Sequence, residues 1–301
     1  MSPLFNYLLS FLINYSFIMV IGMLAIFILT GLAGMFSMGQ ASFMAIGGYT
    51  AALMYRFFNT NIWLNIPAAI FMGMLFGFLI GLPVIKLRRD YIAIVTLLFG
   101  QAVVALLNNS SAITGGALGL SGIPKQTNHI IISVFMVLVV FMINHFKKSR
   151  FGRQCIAVKN DELAAAAMGI NVARTKMTAF VLAGGLSAFA GALWVHTTTY
   201  IDPASFGWTQ SSLWIIIVFF GGINSLTGSI VSGLLLTMLP EILRFSNTLR
   251  IVLYCIIVLV VVNFRPQGLF GSTEWDIDTM KRMFLKIKGI IAAKQKKVTE
   301  V

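Results

Sequence analysis

Phe146–Lys176, FKKSRFGRQCIAVKNDELAAAAMGINVARTK, is a polar island in an apolar chain. It holds seven basic residues, Lys147, Lys148, Arg150, Arg153, Lys159, Arg174 and Lys176, whereas the flanking stretches 126–146 and 177–201 carry no charge. Stretches 1–55, 91–124, 203–240 and 251–264 are also uncharged. Each approaches or exceeds the ~20 apolar residues that cross a bilayer as a helix. Backbone polar groups cannot be left bare in hydrocarbon, so only helices or a closed barrel can span it. The apolar runs are continuous rather than alternating, which selects helices. The expected fold is all-α: a polytopic transmembrane protein with broken or tightly packed glycine-rich helices.

Composition agrees. The 301 residues are 58% hydrophobic and 10% charged, against about 25% charged in soluble domains. The net charge of +13 does not point to nucleic acid, because 18 of the 22 basic residues fall in three segments: Lys86–Arg89, Lys147–Lys176 and the chain from Arg265 onward. Short basic loops between apolar spans mark the cytoplasmic side. The tail, with Lys281, Arg282, Lys286, Lys288, Lys294, Lys296 and Lys297, suits lipid headgroups. The division expected is a transmembrane domain over 1–270, with a cytoplasmic loop at 147–176, and a basic cytoplasmic tail over 271–301. Cys155 lies in the basic loop and Cys255 in an apolar span, so no disulfide is expected between them. The N-terminus has no basic n-region or cleavage site, so the first span is expected to act as its own targeting signal.

Inside the island, Asp161-Glu162-Leu163-Ala164-Ala165-Ala166-Ala167-Met168-Gly169-Ile170 reads as a short helix. Asp161 suits the N-cap, Glu162 the positive helix end, and Gly169 a left-handed stop. A helix this short needs a surface to dock on. The expected partner is a separate soluble subunit that supplies energy.

Two further segments interrupt apolar runs without charge: Gly31–Phe43 and Gly221–Gly228, both rich in glycine and hydroxyls. Such segments permit tight helix crossings or a break lining a substrate path, and the two readings are compatible. Paired interruptions in two halves of a chain point to a transport site. The last apolar spans fit a cytoplasmic tail only if 211–243 crosses the membrane twice. Polar, uncharged side chains that can replace water around a solute are Gln40, Ser42, Tyr49, Thr96, Gln101 and Asn108. Of these, Gln40, Ser42, Tyr49 and Thr96, with Gly47 and Gly48, are the expected pathway residues.

Other chemistries lack support. The chain contains no Gly-x-x-x-x-Gly-Lys-Ser/Thr loop, so ATP is expected on partner subunits. His129, His145 and His196 are scattered at span edges, with no spacing for a metal. Glu241 is the one carboxylate near lipid, and Arg244 stands three residues on as its expected partner. No carboxylate is placed to carry a proton through the membrane, and no catalytic constellation is present.

Several motifs occur together in one order: Arg89–Leu97, Asn108-Asn109 with Thr114-Gly115-Gly116 and Gly119-Leu120, Asn160–Gly169, Phe206 with Gly221-Gly222, Ser225 and Gly228, and Phe264–Leu269. Over about residues 11–270 the chain resembles the M-type permease subunits of branched-chain amino-acid ABC importers. It departs from that pattern at Gln101, where many relatives have glutamate, and at Asn224, where glycine is expected. The resemblance implies half of a heterodimeric pore in the bacterial inner membrane, completed by a second permease subunit, two ATP-binding subunits and a periplasmic substrate-binding protein. It also implies that Asp161, Glu162, Ala165, Met168 and Gly169 form the coupling helix to the ATPase. The outer loops 109–125 and 196–210 would then receive the solute. Related systems carry urea or amides. An ion-coupled secondary transporter is the rival reading, suggested by the paired interruptions.

Overall fold

The computed structural model describes residues 3–87 and 89–242, together with Ile256, Leu259, Asn263, Gly268, Leu269 and Gly271. The tail beyond Gly271, Cys255 and the side chains of Glu241 and Arg244 lie outside the described residues.

The chain is helical: α1 Pro3–Ile26, α2 Gln40–Phe58, α3 Ile62–Val84, α4 Arg89–Asn109, a single turn α5 Ser111–Thr114, α6 His129–Lys148, α7 Arg150–Asn160, α8 Glu162–Ala167, α9 Val172–Thr198, α10 Trp208–Gly221 and α11 Leu226–Ile242. Among the described residues, six helical segments are long and apolar enough to cross a membrane, from Ser10–Leu32 to Pro203–Gly221. Helix α3 starts at Ile62. Gln126 accepts the Ile62 amide at 2.7 Å, so the helix is secured upstream of Pro67, which falls inside it.

Helix α9 is the axis, wrapped by α1, α2 and α3. Lipid gives packed helices no hydrophobic reason to associate, so close contact depends on small residues. A Cβ on Gly191 would sit 1.9 Å from the Met44 carbonyl oxygen, and one on Gly47 would sit 2.1 Å from that of Ala188. A Cβ on Gly73 would meet the Ala188 methyl at 2.3 Å. Backbones of α2 and α3 therefore lie directly on α9.

Both uncharged interruptions are real breaks. Helix α1 passes into a π-helical turn, Phe27–Leu32, and the chain runs without helix until α2 begins at Gln40. Helices α10 and α11 form an antiparallel hairpin around the second break. Gly222 turns at φ 110°, and Ser232 Oγ donates to the Ile217 carbonyl at 2.9 Å. Segment 211–242 thus runs out and back.

Orientation follows from α1 and α6. His129 Nδ1 and Asn14 Oδ1 meet at 2.8 Å at one end, and Lys147 Nζ lies 5.9 Å from the Phe27 ring centroid at the other. The two helices run parallel, so α1 begins on the face opposite the basic island. On that opposite face a two-residue ladder pairs Leu120 with Ile201 and Ser121 with Tyr200. It joins the loops after α4 and α9.

Candidate functional site

The first break ends in a buried knot of polar side chains at the start of α2. Ser187, near the middle of α9, donates to Gln40 Oε1 at 3.0 Å, and Gln40 Nε2 donates to Ser37 Oγ at 3.4 Å. Ser211 of α10 accepts the Ala41 amide at 2.9 Å, satisfying one of the donors that every helix start leaves open. Ser42 Oγ donates to the Gly39 carbonyl at 2.6 Å. Thr96 Oγ1 accepts the Met38 amide at 3.0 Å and donates to the Ile92 carbonyl at 2.8 Å. Helices α2, α4, α9 and α10 thus meet at one uncharged polar point partway through the bundle. Gln40, Thr96 and Ser187 are fully buried, so the knot is closed in this conformation.

Three of the six expected pathway residues, Gln40, Ser42 and Thr96, belong to this knot. Gly47 and Gly48 stand further along α2 and serve its crossing with α9; a Cβ on Gly48 would meet Ile201 Cδ1 at 2.6 Å. The buried Tyr49 hydroxyl has no hydrogen-bond partner among the described residues. Ser37, Ser187 and Ser211 were not singled out by sequence. Ser187 lies in an apolar run, where a lone serine reads as spacing between packed helices.

The three histidines are held apart: His129 bonds Asn14, His145 stacks on Phe141, and His196 bonds Asn65 Nδ2 at 3.1 Å.

The second part of the site is the basic island. Helix α7 precedes α8 and was not expected from the sequence. Ser149 caps it by accepting the Gly152 amide at 3.2 Å, and its buried face carries Gly152, Cys155 and Val158. Burial pushes the Cys155 thiol up from its ordinary 9.0 to about 11.

Helix α8 forms as its residues dictate. Asp161 Oδ1 accepts the Leu163 and Ala164 amides at 2.8 and 3.0 Å. Gly169 sits at φ +82°, with the Ile170 amide reaching back to the Ala165 carbonyl at 3.1 Å. This is the six-to-one closure that a left-handed glycine allows. Glu162 pairs with Lys176 at 2.7 Å and ties α8 to the start of α9.

The expected coupling residues divide by burial. Ala165 is buried against its own chain and helps to seat α8. Met168 is 84% exposed, as is Leu163. Two large apolar side chains thus stand bare on one short helix of the basic island.

A family described as branched-chain amino acid transport system / permease component matches residues 8–262. The chain belongs to this family. It is 32% identical to the high-affinity branched-chain amino acid transport system permease protein LivM of Escherichia coli K12, over 82% of this chain and 66% of that protein. The match thus spans just under two thirds of that relative's length. The LivH permease protein of Salmonella typhimurium is 24% identical over 81% of this chain and 88% of its own. The ribose import permease protein RbsC of Escherichia coli K12 is 25% identical over 86% and 84%. No solved structure matches the chain. Membership in this permease family, with six helices among the described residues long and apolar enough to cross a membrane, makes it a multi-pass membrane protein.

Proposed function

We propose that the chain is one permease subunit of an ATP-driven importer for a small zwitterionic solute, branched-chain amino acids first, in the bacterial inner membrane. The observation that carries this is α8: a capped, anchored helix on the basic face with Leu163 and Met168 bare to solvent. It is built to be gripped by a soluble subunit. ATP is held by that subunit, two copies of which serve a pore made with a second permease. A periplasmic binding protein delivers solute at the outer loops joined by the Leu120–Ile201 ladder.

In this reading the path runs past the polar knot. Hydroxyls and one amide, with the positive end of α2 nearby, suit a zwitterion that must shed water without meeting a fixed opposite charge. The knot is closed here, so motion driven from the cytoplasm must loosen the break before α2. The similarity to LivM favours branched-chain amino acids over sugars, urea or amides.

The test is uptake in cells expressing the full transporter, with leucine, urea, acetamide and ribose as competitors. ATP-dependent uptake blocked by leucine alone is expected. Uptake by this chain alone under an ion gradient would replace the proposal with a secondary transporter. Competition by urea or acetamide instead of leucine would keep the machine and change its cargo.

A further inference from the structure

Both helix breaks present C-terminal backbone to the same corner on the cytoplasmic side, and two lysines of the basic island fill it. Lys159 Nζ donates to the Gly31 carbonyl at 2.7 Å and to Asn224 Oδ1 at 2.6 Å. Lys147 Nζ donates to the Asn224 carbonyl at 2.9 Å. Gly31 lies in the π-helical turn that ends α1, and Asn224 lies in the turn between α10 and α11. Carbonyls at helix C-termini lack partners within their helix and carry the negative end of its dipole, so an ammonium there is doubly favoured. The two breaks also touch: a Cβ on Gly31 would lie 2.8 Å from the Ile223 carbonyl oxygen.

Lys159 is in the last turn of α7, two positions before Asp161, the residue that caps α8. Its alkyl stem is packed as well as its charge. Gly34, at φ +67°, lies so close that a Cβ there would be 2.9 Å from Lys159 Cγ. A cavity of about 630 Å³ opens beside the contact, lined by Thr30, Phe36, Ala93 and Ile223 among others. Lys159 thus has space next to it into which the first break can move.

We propose that Lys159 is a positioning residue that carries the displacement of α8 to both breaks at once, with Lys147 holding the second break as a fixed anchor. When a partner pulls α8, the ammonium moves with the end of α7. It then drags or releases the Gly31 carbonyl and the Asn224 amide together. The segment between Gly31 and the knot at Gln40 is moved from its cytoplasmic end. This inference rests on the ATP-driven reading above.

The test uses the assembled transporter and has two independent readouts. Lys159→Met keeps the packed stem and removes the charge; Lys159→Arg keeps a donor that can serve both oxygens. Hydrogen exchange, which needs no transport, is followed over 31–39 and 222–225. Exchange in both segments should rise at least tenfold in Lys159→Met and stay within twofold in Lys159→Arg. In proteoliposomes, labelled leucine taken up per ATP hydrolysed should fall at least tenfold in Lys159→Met, with the ATPase still bound and turning over. Lys159→Arg should restore it. Asn224→Ala should give a partial loss, and adding it to Lys159→Met should cost nothing more. Unchanged exchange in Lys159→Met, or an unchanged ratio of uptake to hydrolysis, overturns the proposal. A wild-type chain that shows no ATP-driven leucine uptake, while exchange still responds to Lys159→Met, would overturn the transport reading itself and leave the contact as a structural tie only.

Discussion

Removing either partner of the Glu162–Lys176 pair should have unequal consequences. The two side chains meet at 2.7 Å, but Lys176 is 4% exposed and Glu162 is 35% exposed. Glu162→Ala leaves an ammonium that the chain shields almost completely. Stranding one charge of a buried pair costs about 3–5 kcal/mol, and the partial hydration of this pair puts the cost at the lower end, about 3 kcal/mol. Lys176→Met removes the shielded charge and leaves a carboxylate that water already reaches, so the loss is about 1 kcal/mol or less. About 3 kcal/mol is roughly a hundredfold in an opening equilibrium. Hydrogen exchange over 162–170 of the purified protein should therefore accelerate by up to that factor in Glu162→Ala and by less than about tenfold in Lys176→Met. Thermal unfolding in detergent should rank the variants in the same order. Equal effects, or a larger effect for Lys176→Met, would refute the view that burial of the lysine is what fixes α8 to α9.

The α2–α9 crossing should be intolerant of a single methyl group. Gly191→Ala places a Cβ 1.9 Å from the Met44 carbonyl oxygen, which should cost about 3 kcal/mol by overpacking. Gly77→Ala, whose nearest neighbour would be at 3.3 Å, should unfold close to wild type; equal losses would contradict so tight a crossing. The Cys155 thiol, raised from 9.0 to about 11, stays protonated in the folded chain where the unfolded chain ionises. The unfolded state then binds fewer protons, so the stability that Cys155 contributes is complete below pH 9 and falls between pH 9 and 11. In a Cys255→Ser background, maleimide should label Cys155 at pH 7.5 only after denaturation. The stability gap to Cys155→Ala should narrow above pH 9.

The membrane class, the crossings and α8 were legible because their signals are local: uncharged length, Asp161 as a cap, Gly169 as a stop. The two breaks were visible as composition. Their meeting was not, since Lys159 and Gly31 are distant in sequence and nothing in either neighbourhood names the other. Helix α7 was hidden by its charges: Arg150 and Arg153 are exposed, while Cys155 and Val158 are buried. Gln40, Ser42 and Thr96 were found as polar residues in apolar surroundings. Ser187 and Ser211 were missed because a serine between leucine and alanine or beside another serine carries no mark of the partner it will meet. Gly47 and Gly48 drew attention for the right composition, and the α9 backbone against them supplies the reason. Ala165 was grouped with the partner-facing residues because periodicity over one and a half turns is too short to tell the two faces of a helix apart.

The account depends on α8 being gripped from outside. The direct measurement is capture of the ATP-binding subunit by affinity-purified permease, comparing wild type with the double variant Leu163→Glu/Met168→Glu. Both side chains are exposed, so the variant should fold and melt as wild type does while capturing at least tenfold less ATPase. Full capture by a normally folded double variant would contradict the claim that this helix is the handle.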